Sequence, residues 1–113
     1  MIVLVEDDEI TRELVEVALR QEGHEVASFG DGEAAVAFLE EGRTRPDLLV
    51  TDIQLPDDFD GWAVARAFQE EHPRLPVIYI TASTMPPDPV NNSIYIRKPV
   101  KSDLLLKAVA ALG

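Results

Sequence analysis

The stretch Ile2-Val3-Leu4-Val5-Glu6-Asp7-Asp8-Glu9-Ile10 decides the fold. Ile2 to Val5 runs without a polar interruption and is mostly β-branched, which suits a short strand covered on both faces. Acids follow at once. An apolar stripe at Ile10, Leu14, Val17 and Ala18 then returns with each helical turn, with polar residues between. That spacing predicts an amphipathic helix with the stripe facing the core, and Gly23 is its expected stop. A strand leading through an acidic turn into a helix is the first half of a βαβ unit.

The same alternation continues along the chain. Glu25 to Phe29 reads as a second, weaker strand. Asp31-Gly32 marks a turn and a helix start. Ala35, Phe38 and Leu39 give the next helical face, closed by Gly42. Leu48 to Thr51 is a third strand. Gly61 to Glu71 is a third helix, with Ala65 and Phe68 inward and Pro73 and Pro76 beyond it. Val77 to Ile80 and Ile94 to Ile96 are the fourth and fifth strands. Ser102 is the expected cap of a last helix carrying Leu105, Ala108, Val109 and Leu112. Strands alternating with helices imply an α/β fold with a parallel sheet covered on both faces. Right-handed crossovers and five strands favour a doubly wound, flavodoxin-like sheet in the order 2-1-3-4-5. The segment Thr84-Met85-Pro86-Pro87-Asp88-Pro89-Val90-Asn91-Asn92 breaks the alternation. Its prolines forbid a regular helix, so a loop or at most one turn is expected where a fourth helix belongs.

Composition narrows the function. The chain has 113 residues, suited to one domain over residues 1–113, and 46% hydrophobic content, enough for a core. A net charge of -11 disfavours direct contact with nucleic acid or anionic lipid. The lack of cysteine excludes disulfides, thiolate metal sites and cysteine nucleophiles. Apolar runs fall far short of the roughly 20 residues of a membrane span, and no basic leader precedes Ile2, so a cytoplasmic protein is expected.

The polar residues after the strands concentrate the chemistry. Glu6, Asp7 and Asp8 follow strand 1, Asp52 follows strand 3, Thr81 ends strand 4 and Lys98-Pro99 follows strand 5. In a parallel sheet these ends share one edge, where ligands of such folds sit. Two carboxylates about 4 Å apart repel by roughly 4 kcal/mol at an effective dielectric near 20. A cluster of them takes up protons or a cation. With oxygen donors alone the cation is hard, and Mg²⁺ fits. A metal beside a carboxylate, a lysine and a hydroxyl can hold a phosphoryl group in transfer, with Asp52 as nucleophile.

The stretch Val3 to Glu9, with Asp52-Ile53-Gln54-Leu55-Pro56, Asp60-Gly61, Thr81-Ala82 and Lys98-Pro99, resembles the receiver domain of two-component response regulators (CheY-like) across essentially the whole chain. The resemblance implies a phosphorylation-dependent signalling switch rather than a conventional enzyme, one that catalyses only its own phosphorylation and dephosphorylation. Asp52 is then the phosphoacceptor, charged by a histidine kinase or histidine phosphotransfer protein in a Mg²⁺-dependent reaction. Asp7 and Asp52 ligate the metal directly, Glu6 through water, and Gln54 through its backbone carbonyl. Thr81 is the switch hydroxyl, Lys98 the phosphate-pairing lysine, and Lys98–Pro99 a cis bond. Tyr95 is the aromatic whose rotamer follows phosphorylation. Gln54 and Ser83 are the residues that tune the lifetime of the acyl phosphate. Two departures stand out. The loop from Pro56 to Asp60 is a residue longer than usual, and the segment between Thr81 and Lys98 is shorter, with its prolines displacing the fourth helix that normally forms part of the output face.

Taken singly, each of these residues has a plainer reading. Glu6 to Glu9 suits the positive end of a helix, Asp52 a turn, Thr81 a strand, Lys98 a solvated surface and Tyr95 packing. Joint placement at four strand ends favours function. Asp8 reads as a helix-start residue, Asp57 and Asp58 as exposed loop acids, Trp62 as packing, and His24 and His72 as connection residues outside the site. Three other functions compete. A flavodoxin-like electron carrier needs a Ser/Thr/Gly-rich phosphate loop where Glu6-Asp7-Asp8 stands. An aspartyl-phosphate phosphatase needs Asp-x-Asp after the first strand. A pseudo-receiver that only binds protein is disfavoured by the intact acid, hydroxyl and lysine set. The downstream target is unspecified, and a stand-alone regulator and a piece of a longer one both stay open.

Overall fold

The structure is a computed structural model that describes residues 1–82 and 90–112. Its elements run β1 (Ile2–Val5), α1 (Glu9–Gln21), β2 (Val26–Phe29), α2 (Gly32–Glu41), β3 (Leu48–Asp52), α3 (Gly61–Glu71), β4 (Val77–Thr81), β5 (Ser93–Arg97) and α4 (Ser102–Leu112). The strands form one parallel sheet in the order β2-β1-β3-β4-β5, the doubly wound CheY-like arrangement. Ile2 of β1 stands level with Val26 of β2 on one side and Leu48 of β3 on the other. Asp52 of β3 stands level with Ile80 of β4, and Thr81 with Arg97 of β5. The strand carboxyl ends therefore finish together along one edge.

Each face of the sheet supports its own apolar layer. Alternate β1 side chains point to opposite faces, and β1 is buried throughout. Leu4 joins Val15, Leu19, Val50, Ile78, Ile80 and Leu105 on the α1/α4 face. Val3 and Val5 join Ala35, Leu39, Leu49, Phe68 and Tyr79 on the α2/α3 face. Burying each large side chain stabilises the fold by about 1.5–3 kcal/mol.

The helix ends follow side-chain chemistry. Asp8, Asp31 and Asp60 cap α1, α2 and α3, their carboxylates accepting from the backbone N–H of Thr11, Ala34 and Ala63. Gly42 closes α2 in the left-handed region at φ 66°. Helix α4 begins with Ser102 itself rather than after it. The Lys101 carbonyl accepts the first helical bond, from Leu105 N–H.

One expectation fails in an informative way. The stripe predicted to face the core on α1 lies outward: Ile10 is 79% exposed, Leu14 44% and Val17 47%. Val15, Ala18 and Leu19 are buried instead. Helix α1 carries two overlapping apolar stripes that share Ala18, and the sheet takes the second. The strand expected at Glu25 to Phe29 starts one residue later, at Val26, and the one expected at Ile94 to Ile96 runs from Ser93 to Arg97; β3 and β4 each run one residue further than expected, to Asp52 and Thr81. There are four helices among the described residues. The segment 83–89, most of the stretch in which a loop or short turn was expected, lies outside them. Asn92, just before β5, takes a left-handed φ of 60°.

Candidate functional site

The site is built at the carboxyl edge, where the winding of the sheet reverses between β1 and β3. Glu6 and Asp7 leave the end of β1, Asp52 is the last residue of β3, and Thr81 the last of β4. Lys98 follows β5 directly, and its N–H donates to the Thr81 carbonyl at 2.8 Å, which ties the ends of the last two strands together. The Lys98–Pro99 peptide is cis, as expected. Asp7, Asp8, Asp52, Gln54, Thr81 and Lys98, with Leu55, Pro56 and Ala82, line an open crevice of about 390 Å³.

Lys98 is the electrostatic centre. Its Nζ lies 2.9 Å from Glu6 Oε1 and 2.9 Å from Asp52 Oδ2. Glu6 is fully buried and Asp52 nearly so, at 5% exposure. The second oxygen of Asp52, Oδ1, accepts from Ile53 N–H at 2.7 Å and Gln54 N–H at 3.3 Å. The other oxygen of Glu6, Oε2, accepts from Asp8 N–H at 3.2 Å. Ligand oxygens of Glu6, Asp7 and Asp52 all lie within 4.8 Å of one another. Three carboxylates against one ammonium leave a local surplus of two negative charges when all are ionised.

The titration of the cluster reflects this crowding. Burial, opposed by the Lys98 hydrogen bond and reinforced by Asp52, pushes the Glu6 carboxyl up to about 7 from 4.5. Burial alone would lower the Lys98 ammonium, but its bonds to Glu6 and Asp52 outweigh that and hold it above its ordinary value. The hydrogen bonds from Thr11 lower Asp8, an exposed helix cap. The donor set is all oxygen, anionic and short of positive charge, so it fits a hard divalent cation.

Other residues fall into place around this centre. Gln54 is exposed on the crevice wall. Tyr95 is half-buried on β5, and its ring stacks on Tyr79 at 5.6 Å and 21°. Trp62, at the start of α3, tilts onto the same Tyr79 ring at 4.8 Å, so the three rings form a row with Tyr79 in the middle. Burial raises the Tyr95 hydroxyl above its ordinary value. His24 and His72 are half-buried at the opposite end of the sheet. His72 borders a hollow of about 480 Å³ lined by Arg45, Pro46, Pro73 and Arg74, among others, and this hollow holds none of the clustered carboxylates.

Three contributors escaped the sequence reading. The Arg12 guanidinium donates to the Glu6 carbonyl at 2.8 Å and so fixes the turn that carries the acids. Its spacing on α1 gave no signal. Tyr79 was read only as part of an apolar strand, yet it supports the Tyr95 ring. Asp57 is half-buried rather than exposed, and its Oδ2 accepts from Glu33 N–H at 2.7 Å. Asp58 is exposed, as expected.

Comparison with known proteins gives a consistent result. The response regulator receiver domain family matches residues 2–110. A probable transcriptional regulatory protein, TcrX of Mycobacterium tuberculosis, is 33% identical over 116 residues, a stretch that covers 98% of this chain and 48% of that protein. The chain spans about half the length of the curated relatives it matches. A response regulator receiver protein from Sinorhizobium medicae superposes with a TM-score of 0.84 at 35% identity, covering 98% of this chain and 91% of that one. Chemotaxis protein CheY4 of Vibrio cholerae shares the fold at a TM-score of 0.88 and 24% identity, covering 99% and 97%.

Proposed function

Because the chain belongs to the response regulator receiver domain family, we propose that it is a Mg²⁺-dependent phosphorylation switch with Asp52 as phosphoacceptor. Receiver domains are signalling switches rather than conventional enzymes. The observation that carries this reading is the Lys98 ammonium at 2.9 Å from both Glu6 and Asp52, within a carboxylate cluster whose oxygens lie within 4.8 Å.

The chemistry follows from the charges. Glu6, Asp7, Asp52 and the Gln54 backbone carbonyl are the groups that would hold Mg²⁺. When bound, the metal would neutralise the equatorial oxygens of the incoming phosphoryl group. Asp52 Oδ1 accepts from two backbone N–H groups, while Oδ2 accepts from the Lys98 ammonium at 2.9 Å, on the wall of the open crevice, so Oδ2 is assigned as the attacking atom. It forms the new O–P bond while the phosphohistidine N–P bond breaks, and the histidine leaves as the neutral ring once protonated. Lys98 then pairs with a phosphoryl oxygen instead of the carboxylate. Thr81 at the end of β4 supplies the hydroxyl that follows the new charge, and Tyr95 moves with it. Phosphorylation adds about -1.5 to -2 charges at this edge.

The donor would be a histidine kinase or a histidine phosphotransfer protein. Its support here is the outward stripe of Ile10, Leu14 and Val17, which flanks a shallow groove reaching Ser102 on α4. The stripe starts beside the acidic turn, so a helix bearing a phosphohistidine could lie along it with its imidazole over Asp52. The downstream target is a protein. The net charge of -11 argues against this domain touching DNA itself. Among the described residues no helix is long and apolar enough to cross a membrane. A cytoplasmic location is part of the same proposal, since the phosphoryl donor would meet the domain there.

Intact-mass analysis after incubation with Mg²⁺ and a small phosphodonor tests the proposal, beside Asp52→Asn. One added phosphoryl group is expected, absent without Mg²⁺ and absent in the variant. Equal labelling of the variant would rule out Asp52.

A further inference from the structure

The loop between β3 and α3 carries an arrangement that the phosphoacceptor chemistry does not use. It starts at Ile53, whose N–H donates to Asp52 and whose carbonyl accepts from Gly61 N–H at 2.8 Å, so its two ends are drawn together. Its middle is fastened to a different element. Asp57 Oδ2 accepts from the Glu33 N–H in the first turn of α2 at 2.7 Å. Asp57 Oδ1 is enclosed and has no hydrogen-bond partner among the described residues. Beside it, Phe59 lies against Gly32 so closely that a Cβ on Gly32 would stand 2.5 Å from the Phe59 carbonyl oxygen. The first turn of α2 is thus capped twice, by its own Asp31 at Ala34 N–H and by Asp57 from the loop at Glu33 N–H.

Between this anchor and Gln54 the chain has little freedom. Pro56 fixes its own φ, and a residue before proline is confined to extended conformations, so Leu55 is restricted too. Leu55 and Pro56 form a wall of the crevice. Gln54 N–H is already directed to Asp52. The peptide plane that carries the Gln54 carbonyl is therefore held from both sides, by Asp52 before it and by the Asp57 anchor after it.

We propose that Asp57 is a positioning residue for the phosphoacceptor site: its bond to the α2 N-terminus sets the loop wall and aims the Gln54 carbonyl for the metal. This rests on the Mg²⁺-dependent reading of the site. A carboxylate usually spent on a cap within its own helix here couples α2 to the metal-binding loop. Aspartate has one torsion fewer to order than glutamate in reaching the N–H, and the helix end favours its charge.

The paired caps supply the control. Asp31→Ala and Asp57→Ala each remove one acceptor from the same helical turn, but only the second frees the loop. Each variant is titrated with MgCl₂ and followed by amide NMR at Ile53 and Gln54, with thermal melts alongside. Both variants should melt at lower temperature than the parent. Asp57→Ala should weaken Mg²⁺ binding roughly tenfold, at the low end of the effects seen for outer-shell groups. Asp31→Ala should leave the affinity within about twofold, outside the outer-shell range, and Asp57→Asn should recover most of the loss because its amide oxygen can still accept. Equal Mg²⁺ affinity in the parent and Asp57→Ala, or equal weakening in both alanine variants, would overturn the inference while leaving the phosphoacceptor reading intact. A parent protein with no saturable Mg²⁺ response would overturn both.

Discussion

In the absence of divalent metal, the protein should lose stability as the pH rises from about 4.5 to about 7, and Glu6→Gln should remove that loss. Glu6 is fully buried. Burial is the main cause that pushes its carboxyl to about 7, with Lys98 pulling down and Asp52 pushing up. The folded state therefore binds this proton more tightly than the unfolded chain does. The stability it contributes is fully present below the ordinary value of 4.5 and is gone above about 7. The interval from 4.5 to about 7, at about 1.36 kcal/mol per pH unit, amounts to roughly 3 kcal/mol. Glu6, Asp52 and Lys98 titrate as one system, so the loss belongs to the trio. Lys98 adds nothing in this window, because a raised ammonium keeps its contribution until the pH passes its ordinary 10.5. The assay is urea unfolding of the parent and Glu6→Gln in EDTA at several pH values. With an m-value of about 2 kcal/mol/M, the parent midpoint should fall by roughly 1.5 M relative to the variant. Taking the difference removes the general repulsion that a net charge of -11 adds as pH rises. Saturating Mg²⁺ should restore the parent above pH 7, since the cation replaces the proton. A parent-minus-variant difference that is flat across the window, or that grows more favourable to the parent, would refute the reasoning.

Three further outcomes follow from the same geometry. Asp7→Asn changes an exposed side chain, so metal-free stability should stay within about 0.5 kcal/mol, while stabilisation by Mg²⁺ in thermal melts disappears. Lys98→Ala leaves Glu6 and Asp52 without their shared cation, and the rate of labelling by a small phosphodonor in a mass-spectrometric time course should fall by roughly 100-fold. At Gly61 an added Cβ would meet the Asp52 carbonyl oxygen at 2.2 Å, so Gly61→Ala should lower stability by about 1–3 kcal/mol in denaturant titrations and disturb Asp52 at the same time.

Strand order and the reactive edge were legible because they depend on sequence order and on which polar residue follows each apolar run. Glu6, Asp52, Thr81 and Lys98 each sit directly at a strand end, and a parallel sheet leaves such residues no other edge. The inward face of α1 was not legible. Ile10, Leu14 and Val17 repeat at helical spacing as well as Val15 and Leu19 do, and only the direction in which α1 crosses the sheet, with α4 beside it, decides between them. Asp57 escaped for a related reason. A proline-flanked acid in a loop looks the same in sequence whether it faces water or reaches Glu33 in another element. The support that Tyr79 gives to Tyr95 is likewise a pairing across adjacent strands, invisible within either strand alone.

The row formed by Trp62, Tyr79 and Tyr95 has a practical consequence. The chain contains a single tryptophan, and it stands one ring away from the tyrosine expected to move. Excitation absorbed by Tyr95 and Tyr79 can pass to the Trp62 indole, whose emission then reports their spacing and tilt. On the proposed switch, Trp62 would serve as a built-in fluorophore for activation, readable in real time without a label.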